Sequence, residues 1–426
     1  MNRTGYLRRL SRVLGSRRVV YFGTRGADSR SLTDLMNFEC IFSQIAPSGL
    51  AGVTERCLEQ MTRTRVDLDM YSIDTDSSPS VGQLRAVMLA AFEEPAAVIP
   101  YRSCALLASA WFPRSEKVLH LGNFHELQTS FEHKPWVETQ LAASGIRIIP
   151  WRYFADNERG LIAEMLSVRP LVVRANRSDG GTGIRLVQSP ANLPSGWPEH
   201  SDGFVAVAPF LDGIPLNVNG VVFEDGRVSR HGASIQLVGI PGCTTRRFGY
   251  CGNDFGSASQ LEDRDLIALD EMLERVGRWL SQHGYRGAFG IDAIVAENGV
   301  HLVELNPRFQ GSSRLSAALD VEDGRADMFL AHIGAFLGES VPDEASLKDL
   351  ANRPPRAHVV VHAARAVRDR TPAEESNGFE VDLVPEKDVT ALEGAIVADL
   401  VFRESISSDG IALSPEARTA VEVWCG

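Results

Sequence analysis

Two predicted strands near position 300 hold the residue types best suited to chemistry. In the stretch GAFGIDAIVAENGVHLVELNPR, residues 287–308, Asp292 follows an apolar run, and after the turn ENG the run VELNPR carries Glu304, Asn306 and Arg308. Alternate side chains of a strand share a face, so these last three are expected to point one way, with the hairpin bringing Asp292 alongside. Two carboxylates and an amide oxygen are hard oxygen ligands of the kind Mg²⁺ takes, its other positions being filled by water and nucleotide phosphates. An arginine at the edge of such a set can stabilise negative charge as it develops during phosphoryl transfer. Any one of these residues alone reads as part of an ordinary ion pair; four on one face point to a site.

A second segment, VVRANRSDGGTGI, runs a strand into a turn in which Gly180, Gly181 and Gly183 surround Thr182. Such a turn lets backbone N–H groups approach phosphate oxygens closely and act as an anion-binding nest. Without the acids downstream it would read as a flexible hairpin tip. Lysine occurs only at Lys117, Lys134, Lys348 and Lys387, so where chemistry wants a cation the chain is expected to use arginine. Arg174, on the strand before the glycine turn, fits that bias. Between Gly239 and Gln260 lies a long Gly- and Ser-rich loop bearing Arg246 and Arg247, readable as a lid whose cations reach a γ-phosphate or a substrate carboxylate, or as solvated arginines on a mobile loop. Gln310, Ser312, Ser313 and Arg314 stand where a helix is expected to begin, and a helix start favours anions. Arg314 reads either as a substrate anchor or as a structural ion pair. No G-x-S-x-G elbow or H-E-x-x-H pair is present, and His301, three positions before Glu304, falls on the opposite strand face.

The elements that must position these groups follow from patterning. RVVYFG, VDLDMYSID, AAVIP and KVLHLG alternate with amphipathic stretches up to about residue 130, which predicts a parallel sheet covered by helices. The turn at Gly23 and Gly26 lacks the spacing of a dinucleotide loop. KPWVETQLAASG reads as a helix ended by Gly145. Long β runs with hairpin turns EDG and ENG then predict antiparallel sheet with a helix over residues 261–283. Helical texture returns after Ser312, residues 342–355 read as a linker, and HVVVHAARAVR, FEVDLV and AIVADLVFRES read as strands. The domains expected are residues 1–130, residues 131–340 and a small β-rich unit at 355–426.

The 426 residues, 44% hydrophobic and 23% charged, are those of an ordinary globular chain. A net charge of −12 argues against a nucleic-acid partner, and no run approaches the ~18 apolar residues a membrane-spanning helix needs. Six cysteines without a CxxC pair suggest free thiols in a reducing, cytoplasmic setting. The arginine-rich opening reads as a solvated lead-in to the first strand.

Asp292, with the run Glu304-Leu305-Asn306-Pro307-Arg308 twelve positions on, resembles the signature of the ATP-grasp superfamily of carboxylate–amine ligases, and the likeness extends over about residues 130–340. The resemblance implies an α/β and α+β architecture, an ATP-grasp fold preceded by a Rossmann-like domain and followed by the small β-rich one. It implies ATP and Mg²⁺ as cofactors, with Asp292, Glu304 and Asn306 as metal ligands and Arg308 as the catalytic arginine. Arg174 takes the place of the family's usual lysine, acting in catalysis and nucleotide binding beside Gly180, Gly181, Thr182 and Gly183. Lys134 resembles the family's other nucleotide-contacting cation, or is a surface lysine. FVAVAPFLDGIPLNVNG resembles the inter-lobe segment that hydrogen-bonds adenine, near Val207 and Phe210, although Ala208, Pro209 and Pro215 fall where many members carry ribose-binding acids. Arg246, Arg247, Ser312 and Arg314 are the candidate substrate contacts.

The flanking segments VVYFGTRGADSRSL, IPLNVNG and GASIQLVG and the short terminal unit resemble the branch of pheganomycin-type peptide ligases. That likeness implies an ADP-forming peptide ligase working through an acyl phosphate. It would join an amino-acid-type carboxylate to a peptide amine in natural-product (antibiotic) biosynthesis, with the terminal unit helping to enclose a wide acceptor groove. Two alternatives stand beside it: a dipeptide-forming ligase for small amino acids, and a non-catalytic nucleotide-binding subunit.

Overall fold

The computed structural model describes every residue except 1, 68–70, 112, 113, 115, 156, 157, 177–179, 194–202, 342–344, 369–377 and 426. Its first sheet is wholly parallel, in the order Thr54–Cys57, Phe38–Ile45, Arg18–Arg25, Ala96–Pro100, Val118–His120. Val19 and Tyr21 face one core, shared with Tyr6, Phe309 and Phe329, while Val20 and Phe22 face another, shared with Leu84 and Met88. A sheet buried on both faces needs apolar side chains at successive positions, which is why its strands read as unbroken apolar runs. That requirement corrects one expectation. VDLDMYSID alternates acid with apolar and is not the second strand; residues 68–70 lie outside the described residues, and Ser72–Thr75 is a helical turn. Its place is taken by FECIFSQI, buried at seven of eight positions.

The arginine-rich opening is a helix, Arg3–Leu14, not a solvated lead-in. Tyr6, Leu10 and Leu14, spaced by four, bury one face, Asn2 caps the start, and Arg3 pairs with Asp34 at 2.6 Å and Asp327 at 3.3 Å.

The antiparallel texture of the middle resolves into two sheets. The smaller runs Arg152–Ala155, Phe204–Pro209, Leu171–Ala175, Ile184–Val187 and is backed by the helix Arg159–Leu166. Among the described residues the larger has nine strands. Its path is Gly299–Asn306, Gly287–Ala296, Ile214–Val222, Ser234–Val238, Tyr250–Asp254, Ala357–His362, Ile396–Phe402, Phe379–Asp382, with Val228–Arg230 paired to Ile214–Val222. The 20-residue helix Asp263–Gln282 covers one face through Leu266, Leu269, Leu273, Val276 and Leu280. Met328–Leu337 covers the other through Met328, Phe329 and Ile333.

The strands expected beyond residue 355 are present, and they extend the large sheet, because Ala357–His362 pairs antiparallel with Tyr250–Asp254. A second seam joins the ends of the chain, where Thr390–Ala391 pairs with Thr64–Arg65. Arg65, fully buried there, grips Glu59 at 2.6 and 2.8 Å and donates to the carbonyls of Ile396, at 3.0 Å, and Leu383. Removing one partner of a buried ion pair strands the other charge, so Arg65→Ala should cost about 3–5 kcal/mol. Urea denaturation with limited proteolysis around residues 383–396 checks this; an unchanged midpoint and cleavage pattern would count against it.

Candidate active site

Asp292 and Glu304 face each other across one rung of the hairpin between Gly287–Ala296 and Gly299–Asn306. Burial, and after it the neighbouring Glu304 charge, push the Asp292 carboxyl up to about 6. Three amides work in the opposite sense. Asn217, opposite Asp292 on the Ile214–Val222 strand, donates to its Oδ1 at 2.7 Å; Gln236 donates to the same oxygen at 3.3 Å, and Asn306 to Oδ2 at 3.1 Å. Burial also works against the charge on Glu304, but Lys134, Arg174 and Arg308 hold that carboxyl below its usual range. Lys134 makes the closest contact, Nζ to Oε1 at 2.9 Å.

Lys134 is therefore no surface lysine: it is 7% exposed and opens the helix Lys134–Ala143, whose i,i+4 partner Glu138 points into the same site. Glu138 binds both the Arg174 guanidinium and the Tyr153 hydroxyl. Arg174 is 2% exposed, stacks over Trp151 at 4.0 Å from the ring centroid, and its Nε has no partner among the described residues. A buried guanidinium with an unspent donor, whose charge reaches Glu304, is set to take an anion.

The glycine turn needs its glycines. Gly180, Gly181 and Gly183 have φ of 55°, 77° and 71°, left-handed values that side chains oppose. A Cβ on Gly181 would meet the Phe248 carbonyl oxygen at 2.2 Å, so the turn lies directly against the loop that carries Arg246. Thr182 is half-buried between them, and Arg177, Ser178 and Asp179 of the same motif lie outside the described residues. Arg246 reaches back so that its Nη1 sits 3.9 Å from a Cβ placed at Gly180, and Nη2 pairs with Asp67. Arg247 is exposed, its backbone packed against Gly239.

Four expectations shift. Arg308 is not on the strand, which ends at Asn306; its N–H turns back to the Asn306 carbonyl at 2.8 Å, yet its charge acts on both acids. Arg314 is the structural ion pair, held by Asp382 at 2.6 Å and Asp399 at 2.5 Å. The Ser312 hydroxyl is spent on Asn217 at 2.6 Å and Asn219 at 2.9 Å, making it part of the shelf beneath Asp292. Val207 is fully buried between two paired strands, and the Phe210 N–H is donated to the Pro170 carbonyl at 3.0 Å.

Sequence reading passed over Glu138, Trp151, Tyr153 and Gln236. Only Glu138 left a signal, its spacing of four from Lys134.

The donor set fits a divalent cation. Burial first, and the Glu304 charge after it, raise Asp292, and a cation between the two acids would offset both. Asn306, with its amide nitrogen turned to Asp292, keeps an oxygen for other partners. Among the described residues no group of three or more His, Cys, Asp and Glu side chains forms a cage, so two acids and an amide would share the ion with a ligand's oxygens.

Residues 158–312 match the model of the ATP-grasp domain family. No curated protein matches the sequence. Among solved structures, biotin carboxylase from Campylobacter jejuni, complexed with βγ-ATP, is 13% identical with a TM-score of 0.63, covering 91% of this chain and 87% of its own. The biotin carboxylase domain of Hydrogenobacter thermophilus 2-oxoglutarate carboxylase, complexed with MgADP, ADP and bicarbonate, is 14% identical with a TM-score of 0.63, covering 92% and 87%. Carboxyaminoimidazole ribonucleotide synthase from Aspergillus clavatus, complexed with ATP, is 15% identical with a TM-score of 0.61, covering 96% and 97%. Identities this low establish a shared fold: an ATP-grasp fold preceded by a parallel-sheet domain.

The shelf beneath Asp292 gives a test. A Cβ on Gly290 would fall 1.1 Å from Gln310 Nε2, displacing the side chain whose Oε1 accepts from Asn217. Gly290→Ala should weaken divalent-metal affinity by about ten- to a hundredfold, as loss of outer-shell support does. Calorimetric titration with Mg²⁺ and Mn²⁺ measures it, with a melting curve to confirm folding. Unchanged affinity in a folded variant would exclude the shelf as the positioning device.

Proposed function

From the premise that this chain carries an ATP-grasp domain at residues 158–312, we propose that it is an ADP-forming carboxylate–amine ligase using ATP and Mg²⁺. The observation that carries the reading is the Asp292–Glu304 rung, ringed by Lys134, Arg174, Arg308 and Asn306. The similar structures are complexed with ATP, ADP or MgADP, which supports the nucleotide and the metal.

In this reading the γ-phosphate of ATP passes to a carboxylate oxygen, giving an acyl phosphate, and an amine then displaces phosphate to leave an amide. Mg²⁺ held by Asp292, Glu304 and Asn306 would supply charge neutralisation for the nucleotide's phosphates. The chain's own groups position and stabilise. Arg174 offers its open Nε at the end of the strand that enters the glycine turn, and residues 180–183 offer backbone N–H groups. Arg308, tethered just past the strand end, places its charge where negative charge grows on the transferred group. Lys134 and Glu138, on one helix face, keep Glu304 ionised and Arg174 in place.

The finer reading follows the flanking segments: a peptide ligase of the pheganomycin type, joining an amino-acid-type carboxylate to a peptide amine in natural-product biosynthesis. Its substrates are small molecules and peptides. Among the described residues no helix is long and apolar enough to cross a membrane.

ADP release measured against pooled amino acids and peptides tests the class. ADP should appear only when an acid and an amine are both present, and an acceptor-length series should favour peptides over single amino acids. ADP formed with neither, or an Asp292→Ala/Glu304→Ala variant that keeps full turnover, would exclude a ligase. Arg308→Met should lower kcat by about a hundred- to a thousandfold with little change in melting temperature, as loss of one such charge does elsewhere.

A further inference from the structure

From Asp292 a line of polar side chains runs across one face of the large sheet into the segment beyond 355. Asn217 and Gln236, both donors to Asp292, begin it. Gln236 stands opposite Asn253 in the ladder, and Asn253 opposite His358; cross-strand partners share a face. Hydrogen bonds tie the line together. Asn253 Nδ2 donates to Ser234 Oγ at 2.9 Å, Ser234 Oγ to the Asn217 carbonyl at 3.3 Å, and His358 Nδ1 meets Asp399 Oδ1 at 2.9 Å.

Tyr250 joins the line through a backbone irregularity. Three positions before Asn253 on a regular strand, it would lie on the opposite face. The ladder slips there: Leu237 pairs with Gly252 and Val238 with Tyr250, so Cys251 is an extra residue. A bulge of this kind re-aims the side chain beyond it. Gly252 permits the bulge, with φ of 119° and no room for a Cβ against the His358 carbonyl. The Tyr250 hydroxyl consequently donates to Asn253 Oδ1 at 2.5 Å and faces His358 Nε2 at 3.3 Å.

A phenol, an imidazole and a carboxylate in this order can relay a proton. Burial works against the charge on Asp399, but His358, Arg314 and Arg25 hold that carboxyl well below its usual range. An ionised Asp399 keeps the proton of the neutral ring on Nδ1 and leaves the Nε2 lone pair toward Tyr250. Once protonated, Nε2 has acceptors in the Tyr250 oxygen and in Asn253 Oδ1, at 3.4 Å, so both states of the ring are satisfied. Arg314 already neutralises Asp399 at 2.5 Å, so the carboxylate does not need the imidazole for its charge. Asn253, His358 and Asp399 are at most 1% exposed while Tyr250 is partly exposed, which makes the phenol the open end of the group. That end borders the metal rung. A Cβ on Gly311 would meet the Tyr250 ring at 2.7 Å, Gly311 follows the Gln310 that braces Asn217, and the Asp292 charge registers on the phenol.

Resting on the ligase reading, we propose that Tyr250 is the catalytic group that takes the proton from the acceptor amine as the amide forms, with His358 and Asp399 as the relay behind it. Burial holds Tyr250 in its neutral form, so it accepts a proton only while handing its own to His358. The acceptor ammonium loses two protons in all, the first to solvent before attack. As the nitrogen forms the C–N bond and the C–O bond to phosphate breaks, the second passes to the Tyr250 oxygen and the Tyr250 proton moves to His358 Nε2. The same path then returns a proton to the departing phosphate, which restores the neutral relay.

The experiment uses the full chain with ATP and Mg²⁺, a pool of amino acids as the acids, and either hydroxylamine or a mixture of dipeptides as the nucleophile. Hydroxylamine is largely unprotonated near pH 7 and traps an acyl phosphate without a base, so hydroxamate reports the first half of the reaction and amide the second. In Tyr250→Phe and in His358→Gln the ratio of amide rate to hydroxamate rate should fall by about a hundredfold or more, the size of one general base, with the acceptor KM unmoved. Melting curves confirm folding. On the unaltered chain, amide formation in a single turnover should slow in deuterium oxide with a curved proton inventory, because two protons move together. Equal losses of amide and hydroxamate would make the group structural and overturn the assignment. So would an unchanged ratio or, independently of the variants, a single-turnover rate indifferent to deuterium oxide. If the unaltered chain forms no hydroxamate with any of the acids, the ligase reading itself falls and the assignment with it.

Discussion

Placing two carboxylates on one rung of a buried hairpin is costly, and much of the site can be read as the response to that cost. On paired positions of one hairpin, with burial working against both charges, Asp292 and Glu304 cannot both be ionised cheaply without cations nearby. The chain answers asymmetrically. Glu304 receives a lysine in contact and two arginines at longer reach, and stays charged. Asp292 receives amide donors in contact and only the Arg308 charge from farther off, and burial together with the Glu304 charge pushes it up to about 6. The pair is thus part-compensated, a state that a divalent ion between the acids would complete.

That compensation depends on a scaffold with little freedom to adjust. Asn217 serves Asp292 only because Gln310 and Ser312 hold its amide from the other side, and Gln310 occupies space that exists because Gly290 has no side chain. The packing of Ser312 against Asn217 and Asn219 brings the start of the helix Ser313–Glu322 onto the Ile214–Val222 strand. Asn306 reaches Asp292 from the neighbouring strand. A change in any of these registers by one residue would turn the amides away from the carboxylate.

On the opposite side of the site the arginine bias of the chain becomes structural. Arg174, where a lysine would be a flexible point charge, is a flat guanidinium stacked on Trp151 and anchored by Glu138, so its remaining donor has a fixed direction. Arg246 bridges the glycine turn and Asp67, linking the loop over the site to the first, parallel-sheet part of the chain. The segment beyond 355 closes the arrangement from behind by adding strands to the sheet that carries the site.

The sequence by itself determined the hairpin with its acids, the glycine turn, the helix that begins at Lys134 and the parallel sheet of the first part, because each is a local pattern: a period, a turn residue, a spacing. It also made arginine the commoner cation, with Lys134 as the exception at the site. Only the tertiary structure decided which cations meet which acids. Lys134 lies 170 positions from Glu304, and Arg314 finds Asp382 and Asp399 rather than a substrate; such pairings come from the packing of distant elements and leave no periodic trace. The same holds for the fold's own surprises. VDLDMYSID has the alternation of a one-sided strand, yet the parallel sheet is buried on both faces, and burial on the second face is a property of what packs there, not of the segment.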